Sequence, residues 1–303
     1  MKKHLLLGSI MILAAGIISG GCKADTRGKT ITIGSKNFTE QLLIGEIMAQ
    51  MIEEETDLEV ARKFNLGGTM ICHNALLNGG IDLYAEYTGT ALTAILKKDT
   101  VSDPEKAYRT VAEAYGEKYK CRWLNPFGFN NTYAITVRSD FARKHNLTNI
   151  SDLAAIAGDL TAGFTAEFME REDGYPGLKE AYEIKFKTTK DMEPSLMYRA
   201  IDGKDVDVIC AFATDGRIAA YDLKMLRDDK MFFPPYYAAP VIRMDLLEKH
   251  PQISSVLQPL AGLLNDKTMQ ELNLEVDAGK KEPAAVAREF LIRKNILPDR
   301  DGR

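Results

Sequence analysis

Short runs of alternating apolar and polar residues recur along the chain, separated by segments whose apolar residues lie at helical spacing. Residues 29–34 alternate and predict a first strand. The segment 35–56 then places its apolar residues on one helical face, with Asn37 or Thr39 as the expected N-cap. The sequence therefore predicts a strand followed by a helix at the start of the folded part.

This alternation of strand and helix continues toward the C-terminus. Further strands are predicted at 58–66, 81–84, 132–137, 206–212 and 236–243. Helices are predicted at 71–78, 89–97, 107–119, 178–182 and 195–201, and the tail from 254 to 295 is mostly helical. Strands that alternate with helices indicate an α/β fold with largely parallel sheets. The chain has 303 residues, more than the roughly 100–200 of one domain, so we expect two domains.

The N-terminus has the features of an export signal. Two lysines precede an apolar run at 5–18, and small residues follow it up to Cys22. Residues 18–22 resemble the lipobox of bacterial lipoproteins, in which the cysteine carries the lipid, although Ser19 stands where leucine is usual. We expect residues 1–21 to be a signal peptide and Cys22 to be lipidated, which places the folded part outside the cytoplasm. A plain secreted protein is the alternative.

Charge and cysteine content exclude several classes of protein. The net charge is −4 and basic residues do not cluster, so nucleic acid is a poor partner. After Cys22 no segment reaches the roughly 18 consecutive apolar residues of a membrane span, so the lipid would be the only anchor. The odd set of Cys72, Cys121 and Cys210 argues against a disulfide framework, and no metal-ligand spacing accompanies it. We expect buried thiols, no structural metal and no cofactor.

Four aromatic residues stand at strand ends, where the chain turns: Tyr87, Tyr133, Phe212 and Tyr236. A quaternary ammonium group has no N–H to donate and no neutral form, so proteins hold it against the faces of several aromatic rings. Each ring contributes on the order of 0.5–2 kcal/mol. Because open α/β sheets bind ligands at strand ends, we expect these rings to converge on one cation site. Ordinary packing also explains each ring taken singly.

Three strand-to-helix junctions offer backbone donors to the other end of a zwitterionic ligand, such as the carboxylate of glycine betaine. These junctions contain Asn37, Thr69 and Thr90. Helix capping and turn formation explain each junction equally well. The sequence thus indicates candidate ligand contacts without separating them from structural residues.

Motifs of common enzyme classes do not occur in the sequence. Neither the GxSxG nucleophile elbow nor the GxxxxGK[ST] phosphate loop is found. His73, His145 and His250 fall in different segments, which leaves no evident pair of nucleophile and base. We therefore expect a binding protein and not an enzyme.

Six ordered motifs resemble the substrate-binding proteins of osmoprotectant ABC transporters, the group for glycine betaine, carnitine and choline. They are GSKNFTEQ at 34–41, LGGT at 66–69, DLYAEYTGTAL at 82–92, NNTYA at 130–134, DGKDVDVICAFATDGRI at 202–218 and DDKMFFPPYYAAP at 228–240. The resemblance implies a two-lobed periplasmic-binding-protein fold of type II, without catalysis. It also implies a small quaternary ammonium ligand and an ABC permease as partners, and we expect a monomer.

The resemblance further implies where the lobes and the ligand lie. Lobe I would comprise 29–134 plus 238–303, and lobe II would comprise 135–237. Two crossings of the chain, at Tyr133 and Tyr237, would form the hinge. The trimethylammonium group would sit in a cage of aromatic rings, and the motif positions that match the cage are Tyr87, Tyr133, Phe212 and Tyr236.

Two positions depart from the pattern of this group. Phe212 stands where several members have tyrosine, which keeps the π face and removes a hydroxyl. Met70 follows LGGT, where members often carry a polar residue that contacts the non-cationic end of the ligand. We therefore expect choline, with only a hydroxyl at that end, to suit the site better than a carboxylate ligand. Two alternatives stay open: the same fold holding an amino acid or another cation, and an extracytoplasmic enzyme acting on choline-like molecules.

Overall fold

The computed structural model describes residues 30–299, in which ten strands form two five-stranded sheets. The strands are β1 Thr30–Gly34, β2 Glu59–Lys63, β3 Leu83–Tyr87, β4 Cys121–Trp123, β5 Tyr133–Arg138, β6 Thr161–Phe164, β7 Thr188–Asp191, β8 Val208–Phe212, β9 Leu223–Met225 and β10 Ala238–Arg243. The α-helices are α1 Thr39–Glu55, α2 Thr69–Leu77, α3 Thr88–Thr90, α4 Pro104–Tyr119, α5 Ser139–His145, α6 Ile150–Ala154, α7 Ala166–Glu170, α8 Tyr175–Tyr182, α9 Pro194–Asp202, α10 Arg217–Ala220, α11 Met244–Lys249, α12 Gln252–Leu257, α13 Asp266–Asp277 and α14 Pro283–Arg293. A π-helical segment, Ala91–Ile95, extends α3.

Both sheets are mixed. The first has the strand order β2-β1-β3-β10-β4, and the second has the order β7-β6-β8-β5-β9. β1 and β6 pair in parallel with their neighbours, whereas β10 and β5 pair antiparallel with theirs. The expectation of largely parallel sheets is therefore wrong. β5 and β10 enter their sheets directly from the other sheet, without the crossover helix that a parallel neighbour requires.

The chain passes between the sheets twice, from β4 to β5 and from β9 to β10. The two connections lie side by side. The backbone N–H of Asn131 donates to the backbone carbonyl of Tyr236 at 3.1 Å, and the backbone N–H of Tyr236 donates to Oδ1 of Asn130 at 2.7 Å. Lobe I is the first sheet with its helices, including the tail helices that pack on α1, and lobe II is the second sheet with its helices.

Most predicted elements occur within a few residues of their expected bounds, and two local predictions are wrong. The sequence predicts that β3 ends at Tyr84, but the strand continues to Tyr87. Its acidic residue Glu86 can be buried because the ammonium of Lys36, 2.6 Å away, neutralises the carboxylate. No side chain caps α1, which Phe38 precedes. Thr39 is instead its first residue and donates its hydroxyl to an aspartate of α13.

The cysteines expected to be buried thiols, Cys72, Cys121 and Cys210, are free and buried. Across residues 30–299, no helix combines the length and the apolar character that crossing a membrane requires. The predicted signal peptide at 1–21 and the predicted lipidation site at Cys22 lie outside the described residues.

Candidate functional site

A cavity of about 230 Å³ lies between the lobes. Its walls come from the carboxyl ends of β1, β2, β3, β6, β7 and β8 with the segments that follow them, and from the two connections between the sheets. The carboxyl ends of the strands are the sheet edge at which open α/β folds bind ligands. The lining residues are Lys36, Asn37, Phe38, Gly68, Thr69, Tyr87, Thr90, Asn131, Tyr133, Thr165, Ala166, Glu167, Arg171, Asp191, Met192, Glu193, Pro194, Phe212 and Tyr236. Of the residues that the sequence singled out as ligand contacts, only Met70 is outside this lining, and its side chain is 48% exposed.

Five aromatic rings of the lining, Phe38, Tyr87, Tyr133, Phe212 and Tyr236, lie in one continuous row. Phe38 stands between Tyr87 and Phe212, with ring centroids at 6.3 and 5.5 Å. Tyr133 stands between Phe212 and Tyr236, at 5.7 and 5.5 Å. This aromatic cluster therefore joins rings from lobe I, lobe II and both connections.

Phe38 is a member of the aromatic cluster that the sequence prediction missed. It belongs to the motif GSKNFTEQ, but its position directly before a helix did not distinguish it from a packing residue. The prediction also missed the wall formed by lobe II. The strand-end rule could have found that wall, since 165–167 follow β6 and 192–194 follow β7.

The ring of Tyr87 is held at both ends. Its hydroxyl donates to Oε1 of Glu40 at 2.6 Å and accepts from Nε2 of Gln41 at 2.9 Å. Its backbone N–H donates to Oε1 of Glu86 at 2.7 Å. Because these partners are buried, their hydrogen bonds hold the ring in this orientation.

Lys36 brings an ammonium group to the same wall. Its Nζ lies 2.6 Å from Oε1 of Glu86, 3.0 Å from Oγ1 of Thr69 and 5.0 Å from the centroid of Tyr87. The two hydrogen bonds use two of the three ammonium protons, which leaves one for the polar end of a ligand. Its charge is balanced by Glu86, whose side chain is fully buried.

Arg171 and Asp173 form a buried ion pair on the lobe II side. Nη2 of Arg171 lies 2.5 Å from Oδ2 of Asp173, which also accepts from the hydroxyls of Thr93 and Tyr236, each at 2.7 Å. Burial opposes ionisation of Asp173, but the guanidinium and the hydroxyl donors hold its pKa below the ordinary value. The guanidinium carbon is 5.8 Å from the centroid of Tyr133. This pair thus connects lobe II to lobe I and to the aromatic cluster.

The electrostatic character of the cavity favours a cation. Lys36 and Arg171 are each balanced by a buried carboxylate. The other charged residues of the lining are acidic and lie on lobe II: Glu167, which also lies 3.3 Å from Arg171, Asp191 and Glu193. Carboxylates beside aromatic faces attract a positive ligand by charge and by the ring quadrupole.

Comparison with known proteins agrees with this geometry. The family model for the substrate-binding domain of the ABC-type glycine betaine transport system matches residues 29–293. The chain belongs to this family. A carnitine transport binding protein of Listeria monocytogenes is 40% identical to this substrate-binding protein over 302 residues, covering 98% of each chain. An ergothioneine transport permease and binding protein of Helicobacter pylori is 36% identical over 269 residues, covering 88% of this chain and 48% of that one.

A solved structure of a glycine betaine/carnitine/choline ABC transporter protein supports the fold of this substrate-binding protein. It is 39% identical, with a TM-score of 0.75, over 88% of this chain and 99% of that chain. The match confirms the two-lobed α/β fold of type II periplasmic binding proteins.

Proposed function

We propose that this substrate-binding protein captures a quaternary ammonium osmolyte, such as choline, glycine betaine or carnitine, and delivers it to an ABC permease. The observation that carries the proposal is the aromatic cluster, which lines one cavity from both lobes. A trimethylammonium group can be held only through ring faces and nearby negative charge, and each ring adds on the order of 0.5–2 kcal/mol. The cluster therefore acts as the cage.

Closure of the lobes completes this cage. Residues 29–134 plus 238–303 move as one lobe and 135–237 as the other, with the connections at Tyr133 and Tyr237 as the hinge. The hydrogen bonds between the two connections support a hinge, because they keep the segments together while the lobes rotate. Closure excludes water from the cavity, which strengthens the interaction of the cation with the rings.

The polar end of the ligand lies toward lobe I. Asn37, Thr69 and Thr90 line that side of the cavity, and Lys36 contributes its remaining ammonium proton. A hydroxyl or a carboxylate accepts from such donors. Met70 is left out of this set, because its exposed side chain does not line the cavity.

The protein works as a monomer outside the cytoplasm, held at the membrane by a lipid on Cys22. Membership of a transporter family and the lipobox-like residues 18–22 support this placement. Cells grown with an alkyne analogue of palmitate should label the full-length protein. Labelling of Cys22→Ala at the wild-type level would contradict a lipid at this cysteine.

Isothermal titration calorimetry with choline, glycine betaine and carnitine tests the function directly. We expect saturable one-to-one binding of at least one of them to the purified protein. Tetramethylammonium should bind more weakly, because it fills the cage without reaching the polar side. No heat and no thermal shift with any of the four compounds would contradict the assignment.

Ergothioneine is a second candidate ligand, favoured by the relative that is named for it. Ergothioneine is titrated in the same series. If it binds more tightly than choline, glycine betaine and carnitine, it replaces them as the proposed ligand. An amino acid is less favoured, because the ring faces that line the cavity suit an alkylated cation better than an ammonium group that requires hydrogen-bond acceptors. Mass spectrometry of the bound ligand after incubation distinguishes a binding protein, which returns it unchanged, from an enzyme.

A further inference from the structure

Glu40 is a buried carboxyl group next to the cage. It lies in the first turn of α1 and is 2% exposed, but it is not part of the cavity lining. A carboxyl group so placed requires hydrogen-bond donors, because burial without them is strongly unfavourable. Its two oxygens receive donors from different parts of the molecule.

Oε1 of Glu40 faces the aromatic cluster. It accepts the hydroxyl of Tyr87 at 2.6 Å and Nδ2 of Asn131 at 2.7 Å. Both partners line the cavity, and Asn131 belongs to the first connection between the lobes. This oxygen therefore fixes the orientation of a cage ring.

Oε2 of Glu40 faces lobe II. It accepts the hydroxyl of Thr214, which follows the cage residue Phe212 by two positions, and Nδ2 of Asn273 at 3.5 Å. The same Nδ2 also donates to the Thr214 carbonyl at 2.9 Å. Thr214 is 1% exposed, so its hydroxyl is shielded from bulk water in this structure. This oxygen therefore contacts Thr214 of lobe II together with Asn273 of lobe I.

We propose that Glu40 is a positioning residue that links the cage ring of Tyr87 to the closed position of lobe II through Thr214. The inference rests on the proposed function. When the lobes separate, Thr214 leaves Oε2 and water takes its place. When they close, one carboxyl group receives donors from both sides, so closure and the orientation of Tyr87 stabilise each other.

Charged neighbours form a separate contact between the lobes beside Glu40. Asp215 and Arg217 of lobe II pair at 2.5 Å, and Nε of Arg217 lies 3.2 Å from Oδ2 of Asp277 in α13. Thr39 donates to Asp277 at 2.6 Å. Because these contacts do not involve the hydroxyl of Thr214, variants of Thr214 are expected to fold.

Two substitutions of Thr214 test the link without touching the cage. Thr214→Val keeps the shape and removes the hydroxyl, whereas Thr214→Ser keeps the hydroxyl. We expect Thr214→Val to weaken ligand affinity at least fivefold, mainly through faster release measured by stopped flow. Thr214→Ser should remain within about twofold of wild type, a rescue that a purely steric role does not predict.

Glu40→Gln completes a double-mutant cycle. We expect it to weaken binding at least tenfold, with little further loss when Thr214→Val is added, because the link is already broken. Glu46→Gln is the matched control on α1, since Glu46 pairs with Arg62 and does not line the cavity. Additive losses in the double variant, or wild-type affinity in Thr214→Val, would overturn the inference.

A readout without ligand separates this inference from the proposed function. If wild type binds none of the tested ligands, the proposed function fails. Small-angle X-ray scattering of the ligand-free variants then still decides the role of Glu40. We expect Thr214→Val to be more open than Thr214→Ser, and identical scattering profiles would overturn the link.

Discussion

The ring of Phe38 in lobe I lies parallel to the ring of Phe212 in lobe II, with 4° between the planes and 5.5 Å between the centroids. Phe38 also faces Tyr87 at 6.3 Å. One side chain of lobe I thus bridges rings contributed by both lobes. The aromatic cluster therefore depends on how the two lobes are placed relative to each other.

Phe38 is expected to matter for binding as much as the tyrosines of the cluster. Phe38→Ala removes the ring that joins the two lobes, so we expect the affinity for the preferred ligand to fall at least tenfold, about 1.4 kcal/mol. Calorimetry measures this change. Phe141→Ala is the control, because Phe141 is a half-buried ring of lobe II outside the cavity lining. Equal affinities in both variants would remove Phe38 from the site.

Tyr87 and Tyr236 are expected to form opposite ends of the cage. Tyr87→Ala and Tyr236→Ala should each weaken binding at least tenfold, because each variant loses a ring face and a buried hydroxyl contact. Tyr221→Ala provides the comparison, since Tyr221 does not line the cavity. Wild-type titration curves for both cage variants would place the ligand elsewhere.

Phe212→Tyr is expected to preserve the cage. The substitution keeps the ring face that a cation needs, so binding should persist with a change of less than about tenfold. Phe212→Leu keeps apolar volume without a π face and should bind more weakly than Phe212→Tyr. The opposite order in calorimetry would show that the ring face at this position does not hold the cation.

Asp173 is expected to stabilise the closed form. Asp173→Asn weakens the pairing with Arg171 and leaves the hydroxyls of Thr93 and Tyr236 with a poorer acceptor. We expect lower ligand affinity and faster release by stopped flow. Asp245→Asn is a matched control. Asp245 pairs with Arg243, two residues away in the chain and at a distance of 2.5 Å, as Asp173 pairs with Arg171, but it does not line the cavity. Similar losses in both variants would contradict a specific role.

Glu40 is expected to make the stability of the protein depend on pH. Burial raises the pKa of Glu40 from an ordinary 4.5 to about 7. Between these values the unfolded chain releases a proton that the folded protein keeps, so folding stability falls as the pH rises through this window. We expect a decrease on the order of 3 kcal/mol from Glu40.

Urea unfolding at several pH values measures this effect against Glu40→Gln, which cannot titrate. The difference in unfolding free energy between wild type and Glu40→Gln should change between pH 4.5 and 7 and stay level above it. A constant difference across the window would contradict a raised pKa.

The family motifs and the rule that ligands bind at strand ends predict most of the cavity-lining residues of lobe I, because these residues are adjacent in sequence to predictable turns. They did not lead to Arg171, which follows the short helix α7, or to Glu193 after a strand that is only four residues long. Residues on short elements carry weak periodicity, so sequence patterns identify them poorly.

The alternation of strands and helices and the placement of aromatic residues at strand ends are predictable from residue patterns, since both follow from periodicity over a few neighbouring residues. The folded molecule was needed to show that Phe38 contacts Phe212, that Lys36 is balanced by Glu86 and that Glu40 receives donors from both lobes. These pairs are distant in the chain. Their meeting depends on how the two sheets and the two connections pack, which local sequence patterns do not encode.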